Sequence, residues 1–546
     1  MARLDYFAPG IYIEEVERGS RPIEGVSTSV AGFVGFTEDV RGGAELFKPM
    51  LITNWTQYLE YFSKPGSDGF TDFNAYLPFA VSGWFINGGG RCWVASIGTK
   101  LPGTQPPPPE ESALRITSRA KRPSLMFNIK PEEAANGRVL VAVQESEPLT
   151  PPEGSEEEPP LNTGEYFSVI IRRDEQELER YDHLSMNPEV NPQVATYVVT
   201  ALQDSPFVTV SDMAQAGGSL ANRPGNGIYE VSAPPYISPP ERFTRDLQGV
   251  RDDRTGVQGI GEIDEITMLA CPDLMRAYEA GMLDMDQVHG VMEMMISSVE
   301  NATPNPPNRM VVIDPPPDQV KPQQVAQWLN AFNRRSMYAA LYYPWIKVAN
   351  PRNGGRPIAV PPCGHMMGVW ARTDETRGVF KAPANDIPRG VIGLKYETNF
   401  REQELLNPLG INCIRSFPNR GIRVWGARTL VEPDNTPWRY IPVRRLMSYI
   451  EKSIEQGTQW VVFEPNDATL WYRVTRTVSN FLERIWRDGA LFGSTPDQAF
   501  YVKCDESINT PETIMLGRLY IEVGVSPVRP AEFVIFRIGQ WSPSDS

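Results

Sequence analysis

Three apolar runs in the middle of the chain constrain its fold more than any other feature. "IDEITMLACPD" (263–273), "RMVVIDPPP" (309–317) and "YAALYYPWIKV" (338–348) lack the alternation of a strand with one wet face. Such runs suit strands of a parallel sheet, buried on both faces. Between and after them lie stretches of helical period: "DMDQVHGVMEMMISSVEN" (284–301), "PQQVAQWLNAFN" (322–333) and "GHMMGVWARTDETRG" (364–378). The alternation predicts helices packed on a mostly parallel sheet with right-handed crossovers. Upstream, 28–36 reads as a buried strand and 53–62 as a short helix capped by Thr53 or Asn54. Residues 73–90 read as an apolar helix stopped by glycines, and 91–97 as another strand.

Composition then interrupts the pattern. "LPGTQPPPPEES" (101–112) is a stiff proline linker, and "ESEPLTPPEGSEEEPPLNTG" (145–164) is acidic, proline-rich and expected to be a mobile loop. Strand patterns at 124–130, 138–144, 165–173 and 207–211, with one helix candidate at 191–203, define a β-rich domain, 102–216. It is inserted between the first part (25–101) and the second part (217–420) of the α/β core. Residues 217–261, rich in Gly and Pro, are expected to be mostly loop. A C-terminal α+β domain, 421–529, follows. One of its helices puts Val443, Leu446, Met447, Ile450 and Ile454 on one face, and the other Leu470, Val474, Val478, Phe481, Leu482 and Ile485.

Both ends carry strand patterns cut off from the core. In the first arm, 1–24, Tyr12, Ile13, Glu14, Glu15 and Val16 precede a break at Gly19 and Pro22. In the last, 530–546, Phe533, Val534, Ile535, Phe536, Arg537 and Ile538 follow Pro530. Free ends normally fray, and a lone strand with two apolar faces is an aggregation hazard unless a sheet covers it. Such arms suit β-augmentation, each adding to a sheet edge in a neighbouring subunit.

Charge and composition exclude several chemistries. The 546 residues carry a net charge of −15 with no long basic run, which argues against nucleic acid as a partner. Five scattered cysteines with no CxxC pair fit a reducing compartment, and three histidines make a His-based metal site unexpected. No signal-peptide pattern and no bilayer-spanning apolar run is visible, so cytoplasmic assembly without membrane insertion is expected. Gly88–Gly90, and Gly256, Gly259 and Gly261, precede strands, the wrong order for a phosphate loop; the first set reads as a helix C-cap. Asp273 and Asp314 follow strands at the positions where α/β sheets bind ligands. With His289 and Cys363 they give an acid–base–nucleophile order, the signature of the competing reading, an α/β hydrolase with an inserted β domain. No G-x-S-x-G elbow accompanies it, both aspartates suit helix caps, and His365 reads as a satisfied histidine near a helix N-terminus. No catalytic, cofactor-binding or metal residue is therefore expected. Arg439, Arg444 and Arg445 form a basic cluster, readable as a solvated helix face or as a docking site for an acidic partner.

Four collinear stretches resemble the sheath proteins of contractile phage tails and related injection systems. They are "YFAPGIYIEEVERGSRPIEGVSTSVAGFVGFT" (6–37), "HLSMNP" with "NPQVATYVVTALQDSPFVTV" (183–210), "GVWARTDETRGVFKAPAN" (368–385) and "LNPLGINCIRSFPNRGIRVWGARTL" (406–430) with "WRYIPVRRL". The resemblance implies a non-catalytic core of subtilisin-like fold and an outer β domain. It further implies homo-oligomeric, stacked six-fold rings around an inner tube protein, with arms linking subunits and baseplate and terminator or cap proteins at the ends. Arg439, Arg444 and Arg445 are then expected to face the tube. The acidic tract matches no motif of the family.

Overall fold

The structure, a computed structural model, describes residues 22–102, 113–130, 139–147, 149, 164–173, 176–214, 218–231, 237–302 and 308–536. Tyr12, Ile13, Glu14, Glu15, Val16, Arg537, Ile538 and most of the acidic tract lie outside the described residues. The chain divides into two compact units. One runs from Thr28 to Arg444; the other joins the N-terminal segment through Ser27 to the chain from Arg445 onward.

The larger unit is built on β1 (Val30–Gly35), β2 (Pro49–Ile52) and β3 (Arg91–Ser96) before an insertion. The insertion contributes β4 (Leu114–Thr117), β5 (Pro123–Ile129), β6 (Val139–Glu145), β7 (Phe167–Arg173), β8 (Gln176–Ser185), β9 (Thr196–Tyr197), β10 (Val208–Asp212) and β11 (Gly227–Val231). The core then resumes with β12 (Met268–Ala270), β13 (Met310–Ile313), β14 (Ala339–Tyr343), β15 (Ile346–Asn350), β16 (Arg356–Val360), β17 (Val391–Leu394), β18 (Ile411–Phe417) and β19 (Gly421–Val424). Eight of these strands form one sheet in the order β19-β18-β14-β13-β12-β1-β3-β2. It is parallel from β18 to β3, with an antiparallel strand at each edge.

The central strands are buried along their whole length: all six residues of β1, all three of β12 and all four of β13. This is why the sequence shows apolar runs there rather than alternation. The Leu77–Asn87 and Cys363–Arg377 helices lie almost backbone to backbone. A Cβ on Gly364 would fall 2.4 Å from the Ala80 Cα, so only glycine allows the approach. Cys363 through Ala371 are all buried, and Trp370 donates its indole N–H to the Tyr342 hydroxyl at 2.8 Å. Each wholly buried aromatic such as Trp84 or Trp370 contributes roughly 2–3 kcal/mol of hydrophobic stabilisation.

Several expected elements differ. The run 338–348 is not one strand: Pro344, with no N–H to give a ladder, separates β14 in the main sheet from β15, which pairs with β16 and β17 in a three-stranded sheet. The first run yields only Met268–Ala270, because Asp273 opens an Asp273–Glu279 helix. The helix expected at 191–203 shrinks to Val198–Ala201; the Asn191 side chain accepts from Gln193 N at 3.0 Å, turning the chain ahead of it. The expected loop 217–261 holds three helices and β11, which pairs with β6. The insertion therefore reaches Val231, past 216. Its core gathers Phe127, Val141, Phe167, Val169 and Val208 between a three-stranded and a five-stranded sheet. Downstream, β19 belongs to the main sheet, so the larger unit extends beyond 421 to Arg444.

In the C-terminal unit the Ala468–Arg487 helix buries Leu470, Val474, Val478, Phe481, Leu482 and Ile485, the face read from the sequence. Asp467 caps it, accepting from Leu470 N at 2.8 Å. β20 (Phe500–Lys503) and β21 (Glu522–Val525) pair antiparallel.

Candidate functional site

Two places could carry function: the crevice at the carboxyl ends of the parallel strands, and the ribbon in the C-terminal unit. In the crevice, Asp273 Oδ2 accepts from the backbone N–H of Phe36 (2.7 Å) and Leu77 (3.2 Å), and Oδ1 from that of Tyr76 (2.5 Å). One carboxyl thus ties the end of β1 to the start of the Leu77–Asn87 helix. Burial pushes its pKa up to about 7, against the pull of those three N–H groups. Asp314, just past the end of β13, accepts from Cys363 N at 3.0 Å and so caps the Cys363–Arg377 helix. Burial raises it too, to about 7.

The acid–base–nucleophile order does not assemble. Asp273 is engaged by Phe36, Tyr76 and Leu77. His289 packs on Trp328 and Phe332, ring centroids 5.9 and 5.1 Å away. Cys363 neighbours Asp314 rather than a histidine, and burial first, then that carboxylate, holds its thiol far from ionisation. His365 is buried and its pKa falls to about 4, so it stays neutral. Its ring occupies the space beside Gly83, where a Cβ would lie 2.2 Å from Nδ1. Gly88 closes its helix at φ 113°, its N–H bonded to the Phe85 carbonyl at 3.2 Å, as a C-cap. Among the described residues no group of His, Cys, Asp or Glu is arranged to hold a metal, and no helix is long and apolar enough to cross a membrane.

The basic cluster is corrected. Arg439 is half-buried, while Arg444 and Arg445 are only 2% and 6% exposed. The Arg444 guanidinium lies 4.6 Å from the Trp438 ring centroid and 5.0 Å from that of Tyr338. The sequence left two readings, a solvated helix face or a docking site for an acidic partner, and both need exposed arginines; aromatic stacking makes Arg444 an interior contact instead.

The C-terminal unit has the opposite character. Ile23 is buried there, Val26 N donates to Ser453 Oγ at 3.2 Å, and Gly25 and Gly457 leave room for Tyr449 and Ile23 respectively. The N-terminal segment is thus fastened to its helices from Pro22 on. Beside this packed body, β20 and β21 form a ladder of only two strands. Just past β21 the chain is bridged between Leu491 and Pro527, with Phe492 N donating to the Ser526 carbonyl at 2.7 Å, and among the described residues no strand pairs the outer edges of Phe500–Lys503 and Glu522–Val525 themselves. Tyr501, Phe492, Met515 and Leu516 are 54–84% exposed, and Phe533, Val534, Ile535 and Phe536 are 70–82% exposed. Phe463, wholly exposed at φ 69°, escaped the sequence reading; no motif there signals a left-handed aromatic residue.

Comparison with known proteins agrees with this picture. Residues 281–430 match the phage tail sheath protein central domain, and 433–540 the phage tail sheath C-terminal domain. Both matches are to phage tail sheath proteins, and together they cover most of the second half of the chain. The tail sheath protein of Salmonella phage ViI is 28% identical over 211 residues, 37% of this chain and 31% of that protein. That of Burkholderia phage BcepMu is 28% identical over 208 residues, 37% of this chain and 42% of that protein. The matched segment therefore spans less than half the length of these relatives. The fold is shared more widely. The sheath complex of an extracellular contractile injection system, PVC, in the contracted state is 22% identical, with TM-score 0.57 over 99% of both chains. The contracted helical sheath of the anti-feeding prophage is 23% identical, with TM-score 0.54 over 98% of this chain and 100% of that one.

Proposed function

We propose that the chain is the sheath subunit of a phage tail or tail-like contractile injection machine. Copies stack in six-fold rings around an inner tube, bounded by baseplate and cap proteins, after assembly in the cytoplasm. The observation that carries this reading is the open β20–β21 ribbon, in one chain with an uncovered apolar segment, Phe533–Phe536, and a strand pattern at the other terminus. An isolated two-stranded ribbon is marginally stable in water. Strands donated by neighbouring subunits would complete it, with backbone hydrogen bonds supplying affinity and side-chain alternation fixing register. The main sheet with helices on its faces is the part we read as the subtilisin-like core, the β4–β11 insertion as the outer domain, and the two terminal segments as linking arms. Contraction is then a drop from a metastable extended lattice to a tighter one without nucleotide hydrolysis. The tube-facing assignment falls on Arg439 alone, because Arg444 and Arg445 are buried.

The test is electron microscopy of the purified full chain. Tubes of stacked rings are expected; monodisperse globules under all conditions that preserve the fold contradict the reading.

A further inference from the structure

A basic platform surrounds Asn385. Arg372 donates to the carbonyl oxygens of Asn87 (3.1 Å) and Ile387 (2.8 Å), and Lys381 to that of Ala384 (3.3 Å). Arg420 donates to Asn385 Oδ1 (3.0 Å), and Arg423 to the Asn385 carbonyl (2.8 Å). Arg377 and Arg389 stand exposed beside them. Among the described residues none of these six cations makes an ion pair with a carboxylate. The acids interspersed with them are Asp374, Glu375 and Asp386. Of these, Asp374 takes the Thr28 hydroxyl (2.8 Å) and Asp386 the Thr373 hydroxyl (3.4 Å). Six cations against three carboxylates make a local excess of positive charge in a chain of net charge −15. Burial and then Arg389 pull the Arg372 pKa down, so the cluster is held against self-repulsion.

The same chain carries a complementary segment. From Glu147 to Pro160 there are five glutamates, Glu147, Glu153, Glu156, Glu157 and Glu158, and no lysine or arginine. Prolines stand at 148, 151, 152, 159 and 160 of the same segment. Arg372 and the Arg389 backbone bond Asn87, just before β3 starts. A contact between two different surfaces is heterologous, and repeats into open arrays rather than closed pairs.

We propose that the platform of Arg372, Arg377, Lys381, Arg389, Arg420 and Arg423 docks the acidic, proline-flanked tract 147–160 of a second copy of this chain. The inference rests on the self-assembly reading above and adds an electrostatic contact to the strand exchange. Rim charges of this kind set partner choice and encounter rate.

The probe is a fluorescently labelled peptide of residues 147–160. The receptor is the full chain carrying E153Q, E156Q, E157Q and E158Q, so that its own tract does not compete. Fluorescence anisotropy should show saturable binding at low ionic strength that weakens as salt is added. The R377E/R389E receptor should bind about tenfold more weakly, while R377K/R389K binds as the parent does. Equal affinity in the charge-reversed receptor, equal binding of a peptide with the four glutamates changed to glutamine, or no binding at low salt each overturns the proposal. Tube formation is scored separately by electron microscopy: tubes without peptide binding sink the docking contact and leave the sheath reading intact, whereas missing tubes count against the sheath reading itself.

Discussion

The strand-end crevice and the C-terminal ribbon handle their polar backbone in opposite ways. At the crevice, where open α/β sheets ordinarily receive ligands, the carboxyls face backbone N–H groups of their own chain: three on Asp273, one on Asp314. The buried His365 ring packs against Gly83. At the ribbon, two strands leave their outer edges open and apolar side chains such as Met515 and Ile535 stand 84% and 81% exposed. Polar groups turned inward lock a fold; backbone edges and apolar residues turned outward recruit a partner. The difference teaches that carboxylates at the strand ends of an α/β sheet can be used up in capping backbone N–H groups, while the unsatisfied backbone and apolar surface gather at a ribbon elsewhere.

Breaking the closed side should have the largest effect on the subunit itself. Asp273→Ala leaves the N–H groups of Phe36, Tyr76 and Leu77 buried without an acceptor, so urea unfolding of the larger unit should show a loss on the order of 4 kcal/mol. The same side has a pH signature. Asp273 and Asp314 titrate near 7 in the folded chain, above their unfolded value of 3.8, so the native state binds more protons than the unfolded state between those limits. Their contribution is complete below about pH 4 and is lost as pH rises through about 7. Relative to Asp314→Asn, the parent should lose a few kcal/mol of unfolding free energy across that window. A flat difference between the two proteins would show that Asp314 ionises normally.

The remaining changes sharpen the open side. Asp467→Ala removes the cap on the Ala468–Arg487 helix and should cost about 1 kcal/mol, read as a lower melting temperature of the C-terminal unit. Ile535→Ser changes an exposed residue, so subunit stability should move by less than about 0.5 kcal/mol. Pelleting of assembled material should fall nonetheless if, as proposed, a neighbouring subunit covers this side chain.

Much of this was legible in the sequence. Apolar runs without alternation marked β1, β12, β13 and β14, and helical periodicity gave the buried face of Ala468–Arg487 residue by residue. What escaped depended on tertiary context. Pro344 reassigned half of one run to another sheet, and β11 joined the insertion through pairing with β6, a long-range choice that local composition does not encode. At the candidate sites, the capping role of Asp273 and Asp314 was visible in their placement after strands. The burial of Arg444 was not: Trp438 stands close in sequence, but the second aromatic partner that sandwiches the guanidinium, Tyr338, lies about a hundred residues away. The charge excess around Asn385 was present in the stretch 368–385 and its neighbours, but cations spread over 372–423 become a patch only when the chain folds them together.

The central claim is that the open ribbon is completed by terminal strands from other copies. Its most direct measurement is electron microscopy and sedimentation of the chain lacking residues 1–18. The account predicts a soluble, folded subunit with an unchanged circular dichroism spectrum and no long tubes, because the α/β core starts at β1 (Val30–Gly35) while one donated strand per ribbon is gone. Full-length contractile tubes from the truncated chain would contradict it.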